Sequence, residues 1–364
     1  MNAWIDRTTG KSLTKRDKAL SIDVHSHAIP VEALGAIRDE PFKYGLALRE
    51  DSGGNTSLVL ASGHAFPLYA GFHDPKTRLA DMDARGVFME IVTPAPNAFS
   101  YDLPPETEVP FIRLINDGIA AMCGQAPDRL FPGGALPLQD IPSSCAEVER
   151  LHKAYGVRLV LLNTNVLGRY YDDPAFLPLF ATCERLGVTM FFHPQHNNLS
   201  YGLDAYYLVN LLGNPVDTTV SAARLVLGGA LKKHPNVNCL FAHGGGFLPY
   251  QRGRIERGFA VRDEPGVHLG SEDPPAGYFD RLCFDTITHS PEALAFLIAS
   301  HGADRILLGS DYPFDMADLR SAEGILGIPG LSDGDRTSIL RLNAERMLAG
   351  RNTIHKEAEN ETLA

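Results

Sequence analysis

The chain has 364 residues, 44% of them hydrophobic and 21% charged, with a formal net charge of −11. That is ample apolar material for a large core, and the acidic balance argues against nucleic acid or an anionic membrane surface as partner, since either favours a basic face. No apolar run approaches the roughly 20 residues a membrane helix needs.

Taken in chain order, Met1 to Leu20 carries Lys11, Lys15, Arg16 and Lys18 but no apolar segment. It reads as an exposed arm over 1–19 rather than a secretory signal. A first apolar, strand-like run at about 20–25 leads into Ser21-Ile22-Asp23-Val24-His25-Ser26-His27. Residues 31–73 are long for a connection and read as a small hairpin inserted after strand one, a lid. Asp74 to Gly86 opens with Asp-Pro and closes on glycine, the signature of a capped helix. Strand-like runs follow at 89–94, 129–137, 157–164, 188–193, 236–243, 282–287 and 306–311. Helical stretches fall between and after them: Thr107 to Gln125, Ser143 to Gly156, Asp173 to Gly187, Thr218 to Lys233, Ser290 to Gly302 and Asp335 to Gly350. Residues 196–216 form a second long connection, with Asn197, Asn198, Tyr201, Tyr206 and Tyr207. The polar stretch 353–364 reads as a frayed tail.

Strand and helix alternating eight times predict an α/β fold, a (β/α)₈ TIM barrel in one domain over 20–352. The rival, an open doubly wound sheet, wants a glycine-rich phosphate loop after the first strand, where this chain has His-Ser-His. Cys123, Cys145, Cys183, Cys239 and Cys283 are scattered, with no C-x-x-C pair. They read as unpaired thiols in a reducing cytoplasm, Cys239 and Cys283 within the core.

The chemistry collects at strand ends. His25 and His27, two apart on a strand, project to one face. His193 ends a later run, before Pro194, and Asp311 ends the eighth. Three imidazoles and a carboxylate form a nitrogen and oxygen donor set that suits Zn²⁺ and also serves Mn²⁺ or Co²⁺. A lone His-x-His is a weak signal, and a lone histidine on an apolar strand is more often a hydrogen-bonded core residue. Burying all four together without a cation, however, would leave several polar groups unsatisfied. His243 ends strand six before Gly244, Gly245 and Gly246. It reads as a general acid or base, because histidine titrates near neutral pH. A fifth ligand, or a glycine turn with no catalytic role, are the other readings.

These stretches resemble the metal-dependent amidohydrolase superfamily, within it the aminocarboxymuconate-semialdehyde decarboxylase-like group. The resemblance rests on Asp23 to His27, Phe192-His193-Pro194, Phe241 to Gly246 and Leu308 to Phe314, joined by Asn214 to Thr219 and Arg78 to Asp83. It runs from about Ile22 to Met347. It implies a barrel with one catalytic metal, usually zinc, held by His25, His27, His193 and Asp311, with His243 as acid/base. No lysine occurs between Lys153 and Lys232, so the carbamylated lysine of two-metal branches has no counterpart. The resemblance also implies a homodimer in which Arg254 reaches the neighbouring subunit's site and holds a substrate carboxylate. Composition alone does not choose it over Arg252 and Arg257.

Two positions depart from the group. Phe66 stands where a second carboxylate-binding arginine is expected, and Gln195 where tryptophan is expected. Phe66 therefore predicts an apolar or uncharged substrate group beside it, and a substrate other than aminocarboxymuconate semialdehyde. The expected activity is a metal-dependent, non-oxidative decarboxylation of a small unsaturated or aromatic carboxylate in aromatic-compound catabolism, with Asp311 sharing the proton handling. The alternatives are a hydrolase of an amide, lactone or C–C bond using the same site, and a metal-binding scaffold without activity.

Overall fold

The computed structural model describes residues 21–195, 202–264, 267–268, 270 and 272–350. The expected arm, the tail and Asn197, Asn198 and Tyr201 lie outside them.

The strands are β1 (Ile22–Ala28), β2 (Leu46–Glu50), β3 (Thr56–Leu60), β4 (Ala65–Pro67), β5 (Met89–Pro94), β6 (Leu130–Pro132), β7 (Gly134–Ala135), β8 (Leu159–Asn163), β9 (Thr189–His193), β10 (Cys239–Phe241), β11 (Cys283–Asp285) and β12 (Ile306–Leu307). Two sheets are parallel, in the orders β1-β5-β6 and β12-β11-β10-β9-β8-β7, and β2-β3-β4 is antiparallel. Backbone hydrogen bonds also run from the Val24 N–H to the Leu308 carbonyl at 2.9 Å, the His27 N–H to the Tyr312 carbonyl at 2.8 Å, and the Gly133 N–H to the Val92 carbonyl at 2.8 Å. The parallel strands read as continuous apolar runs because both of their faces are covered: β8 and β9 are buried throughout.

The longer helices are α1 (Val31–Asp39), α2 (Pro75–Arg85), α3 (Pro105–Cys123), α4 (Ile141–Tyr155), α5 (Leu177–Leu186), α6 (Asn214–Leu227), α7 (Leu248–Val261) and α8 (Pro291–His301). Their ends follow the sequence signals. The Asp74 carboxylate accepts from the N–H groups of Lys76 and Thr77 at 3.1 and 3.2 Å, and Gly86 closes α2 at φ 72°. Ser290 caps α8, accepting from the Ala293 N–H at 3.2 Å.

Three elements differ from expectation. The run at 129–137 is two strands, β6 paired to β5 and β7 to β8, with Gly133 between them. A Cβ at Gly133 would lie 2.7 Å from Thr93 Cγ2, so the chain kinks where a side chain has no room. The inserted hairpin is a three-stranded sheet, because Ala65–Pro67 adds to β3 and sets Phe66 opposite Leu58. The last helix is interrupted by a π-type turn at Ser338–Leu342. The Ile339 carbonyl there accepts from the Leu308 N–H at 3.1 Å, a bond to the sheet that a regular helix would not offer.

All five cysteines are free thiols; Cys145 is half-buried and the rest are buried. Among the described residues no helix is long and apolar enough to cross a membrane.

Candidate metal centre

β1 does not run evenly beside β5. Its register slips between Asp23 and Ser26, a bulge that bends the strand just where it delivers its histidines. His25 Nδ1 meets Asp285 Oδ2 at 2.6 Å. His27 Nδ1 meets Thr93 Oγ1 at 3.1 Å and the Pro94 carbonyl at 3.3 Å. The Thr93 hydroxyl is itself committed to the Ser26 carbonyl at 3.0 Å, so His27 Nδ1 is the donor of its pair. Both rings therefore turn an Nε2 lone pair inward, and these two atoms lie 3.0 Å apart.

Asp311 comes to the same point from the end of the last strand run. Its Oδ1 is 3.0 Å from His27 Nε2, 3.3 Å from His25 Nε2 and 3.9 Å from His193 Nε2. His243 Nε2 stands 3.6 Å from Asp311 Oδ2. Ligand atoms of His25, His193, His243 and Asp311 all lie within 4.8 Å of one another. That set holds His243 where the sequence reading has His27 as fourth ligand. His27 Nε2 has the shorter contacts, and the side chain of His243 is 21% exposed against 0% for His27.

The chemistry of the donors fits a divalent cation. Among the described residues, both ring nitrogens of His193 are buried without a hydrogen-bond partner, and Asp311 Oδ1 is buried with only imidazole Nε2 atoms beside it. Converging lone pairs and an unsatisfied carboxylate oxygen repel one another unless a cation or proton sits between them. The charge pattern agrees. Burial opposes charge on His25, yet Asp285 and Asp311 outweigh it and hold that imidazole up at about 10. Burial pushes His27 down to about 4 and His193 well below the usual histidine range.

Asp285 is the residue that sequence reading missed. Beyond His25 it accepts from the backbone N–H groups of His243 at 2.9 Å, Gly244 at 2.8 Å and Ile287 at 3.1 Å. One buried carboxylate thus orients the His25 ring and fixes the turn that carries His243. Its signal was a lone carboxylate inside the apolar run 282–287, where it ends β11 as His193 ends β9.

The turns bearing His243 and Asp311 are strained, with φ of 55° and 63° at these non-glycine residues. Close packing holds the first: a Cβ on Gly246 would lie 2.2 Å from the Pro215 carbonyl, and one on Gly245 2.5 Å from the Phe284 ring. The second is held from several sides. The Asp311 N–H donates to the His25 carbonyl at 2.8 Å, and the Ser310 hydroxyl donates to Asp23 at 2.5 Å. The Tyr312 hydroxyl donates to Asp81 at 2.6 Å, and its ring lies under the Arg85 guanidinium at 4.1 Å. Buried Arg78 donates to Glu90 at 2.6 Å and also to the His27 carbonyl. The Arg78 to Asp83 stretch therefore acts as a brace behind the centre.

A cleft of about 1350 Å³ opens above these residues, with His193, His243 and Asp311 on its floor. Phe66 and Gln195 line it, as expected, beside Tyr207, Phe247, Phe296 and Phe314. The Gln195 amide donates to the Phe99 carbonyl at 2.7 Å, which fixes its direction. Arg254 is exposed on α7 and is not among the residues lining the cleft of its own chain.

Residues 22–349 match the family model described as amidohydrolase. The chain belongs to the amidohydrolase family. Within that family it is 29% identical to the 2-amino-3-carboxymuconate-6-semialdehyde decarboxylase of Dictyostelium discoideum, over 91% of this chain and 92% of the relative. It is also 29% identical to the gamma-resorcylate decarboxylase of a Rhizobium species, over 74% of this chain and 86% of that one. The crystal structure of a Rhizobium 2,6-dihydroxybenzoate decarboxylase superposes with a TM-score of 0.71 at 26% identity, covering 90% of this amidohydrolase and 98% of the other chain.

Proposed function

We propose that this protein is a metal-dependent, non-oxidative decarboxylase of a small aromatic or unsaturated carboxylate, acting in aromatic-compound catabolism. The observation that carries the reading is the convergence of His25, His27, His193, His243 and Asp311 beneath an aromatic-lined cleft, with buried donor atoms left unpaired. Similarity to decarboxylases over most of the chain supports the reaction class.

His25, His27, His193 and Asp311 hold the metal in this reading, with zinc the first expectation and manganese or cobalt served by the same donors. When bound, such an ion polarises an oxygen of the substrate's carboxylate or of a neighbouring hydroxyl. His243 supplies a proton, directly or through Asp311 Oδ2 at 3.6 Å, to the carbon that carries the carboxylate. The C–C bond then breaks, its electron pair returns to the carbon framework, and CO₂ leaves. Phe66, Phe247 and Phe314 line the cleft and exclude water from the ring.

The two parallel sheets are read as the arcs of one eight-stranded barrel in a single domain, 20–352. The bonds from Val24 to Leu308 and from Gly133 to Val92 support closure. The β2-β3-β4 insertion is read as a lid because it contributes Phe66 to the cleft. Arg254, exposed on its own chain, is read as reaching the site of a second copy in a homodimer, where it orients the substrate carboxylate. The free, mostly buried thiols suit a cytoplasmic protein.

The direct test is CO₂ release from a panel of hydroxybenzoates and muconate semialdehydes by metal-loaded protein. Loss of CO₂ from at least one is expected. Addition of water to an amide or lactone analogue, without CO₂ from any member of the panel, would assign the site to hydrolysis instead.

A further inference from the structure

Among the described residues that line the cleft there is no lysine and no arginine. The stretch 196–201, which borders Gln195, contains none either. Asp204, Glu292 and Asp315 face the cleft in addition to Asp311. Three arginines of the barrel-like framework are committed to carboxylates. Arg78 is buried against Glu90 at 2.6 Å, and Arg85 pairs with Glu90 and Asp23. Arg252 is held by Glu256 and Asp280, both at 2.6 Å. The inserted sheet presents Phe66 to the cleft, opposite Leu58 in the register of its strands.

A carboxylate drawn into an apolar site needs a positive partner, or it retains its water and stays out. Apart from the imidazoles of His64, His243 and His289, the described lining has one such partner to give, the metal centre. A single Arg254 from a second copy would meet that same carboxylate. A second carboxylate on the substrate would face aromatic rings and the acidic side chains of Asp204, Glu292 and Asp315, where like charges repel.

We propose that the cleft selects an aromatic acid bearing a single carboxylate and neutral ring substituents, and discriminates against dicarboxylates. This rests on the decarboxylase reading for its reaction but not for its binding. The site is therefore specific by what it lacks: Phe66 and the acidic rim act as specificity determinants.

The test compares 2,6-dihydroxybenzoate with the same ring bearing a second carboxylate at its 3-position, using protein loaded with Mn²⁺ or Zn²⁺. Binding is measured by calorimetry and turnover by CO₂ release. Binding of the monoacid at least tenfold tighter than the diacid is expected, on the order of 1.4 kcal/mol or more. In Phe66→Arg the ratio of diacid to monoacid affinity should rise at least tenfold. A diacid that binds the unaltered protein within tenfold of the monoacid, or binding of neither acid, overturns the proposal whether or not CO₂ is released. An unchanged ratio in Phe66→Arg removes Phe66 as a determinant and overturns that part. Tight, selective binding of the monoacid without CO₂ release from any acid tested would leave the charge selection standing while the decarboxylase reading falls.

Discussion

Asp285 Oδ2 lies 2.6 Å from His25 Nδ1, and the same carboxylate fixes the backbone of His243 and Gly244. It holds both the proposed metal site and the proposed acid/base in place without facing the cleft. Asp285→Asn should weaken metal affinity by about 10–100-fold, the usual cost of losing such an outer partner. Competition with a chromophoric chelator measures it, and an unchanged affinity would mean that His25 is oriented by packing alone.

The ligand set itself is tested by composition. His193→Ala and Asp311→Ala should each lower the metal bound per chain in elemental analysis. Full metal content in both variants would show that the cation, if any, sits elsewhere.

Metal and proton compete for His25. Its imidazole is held up at about 10 by Asp285 and Asp311 against burial, so at neutral pH it carries a proton that a cation must displace. Binding should release close to one proton per metal between about pH 7 and 9, and affinity should fall as pH falls. Calorimetry in buffers of different ionisation enthalpy gives the count, and a value near zero would show that His25 is already neutral before the metal binds.

Glu108 on α3 is buried, accepts one bond from the Ser100 N–H at 3.2 Å, and leaves Oε2 without a partner among the described residues. Burial raises its carboxyl to about 8 from a usual 4.5. The folded protein therefore binds this proton more tightly than the unfolded chain does. Stability from this group is fully present below pH 4.5 and is lost as pH rises towards 8, by at most about 1.4 kcal/mol per pH unit. Glu108→Gln should flatten that fall and raise the melting temperature at pH 8 relative to the unaltered protein, with little difference at pH 5. Parallel melting curves against pH for the two proteins would exclude a buried acid there.

Arg254 and His243 belong to different active sites if the homodimer reading holds. Mixing Arg254→Ala chains with His243→Ala chains should then restore part of the lost activity, since one of the two mixed sites has both residues intact. No recovery, with mixed dimers demonstrated by mass, would place Arg254 in its own subunit or outside the reaction.

The sequence by itself determined the alternation of elements and the kind of chemistry. β8 and β9 are apolar throughout because both faces are covered, and that pattern survives in one dimension. His25, His27, His193, His243 and Asp311 could be found because each follows such a run, and strand ends on one side of a parallel sheet share a surface. What depends on distances across the chain was not legible. Asp285 is 260 residues from the ring it orients, and an aspartate at a strand end looks like any other until that contact exists. The split at Gly133 follows from the Thr93 methyl that crowds it, and the third strand of the insertion from Phe66 meeting Leu58. The charge of the cleft was beyond the sequence for the same reason. The chain's arginines are plain to read, but only tertiary structure shows Arg78, Arg85 and Arg252 bound to carboxylates and absent from the cleft.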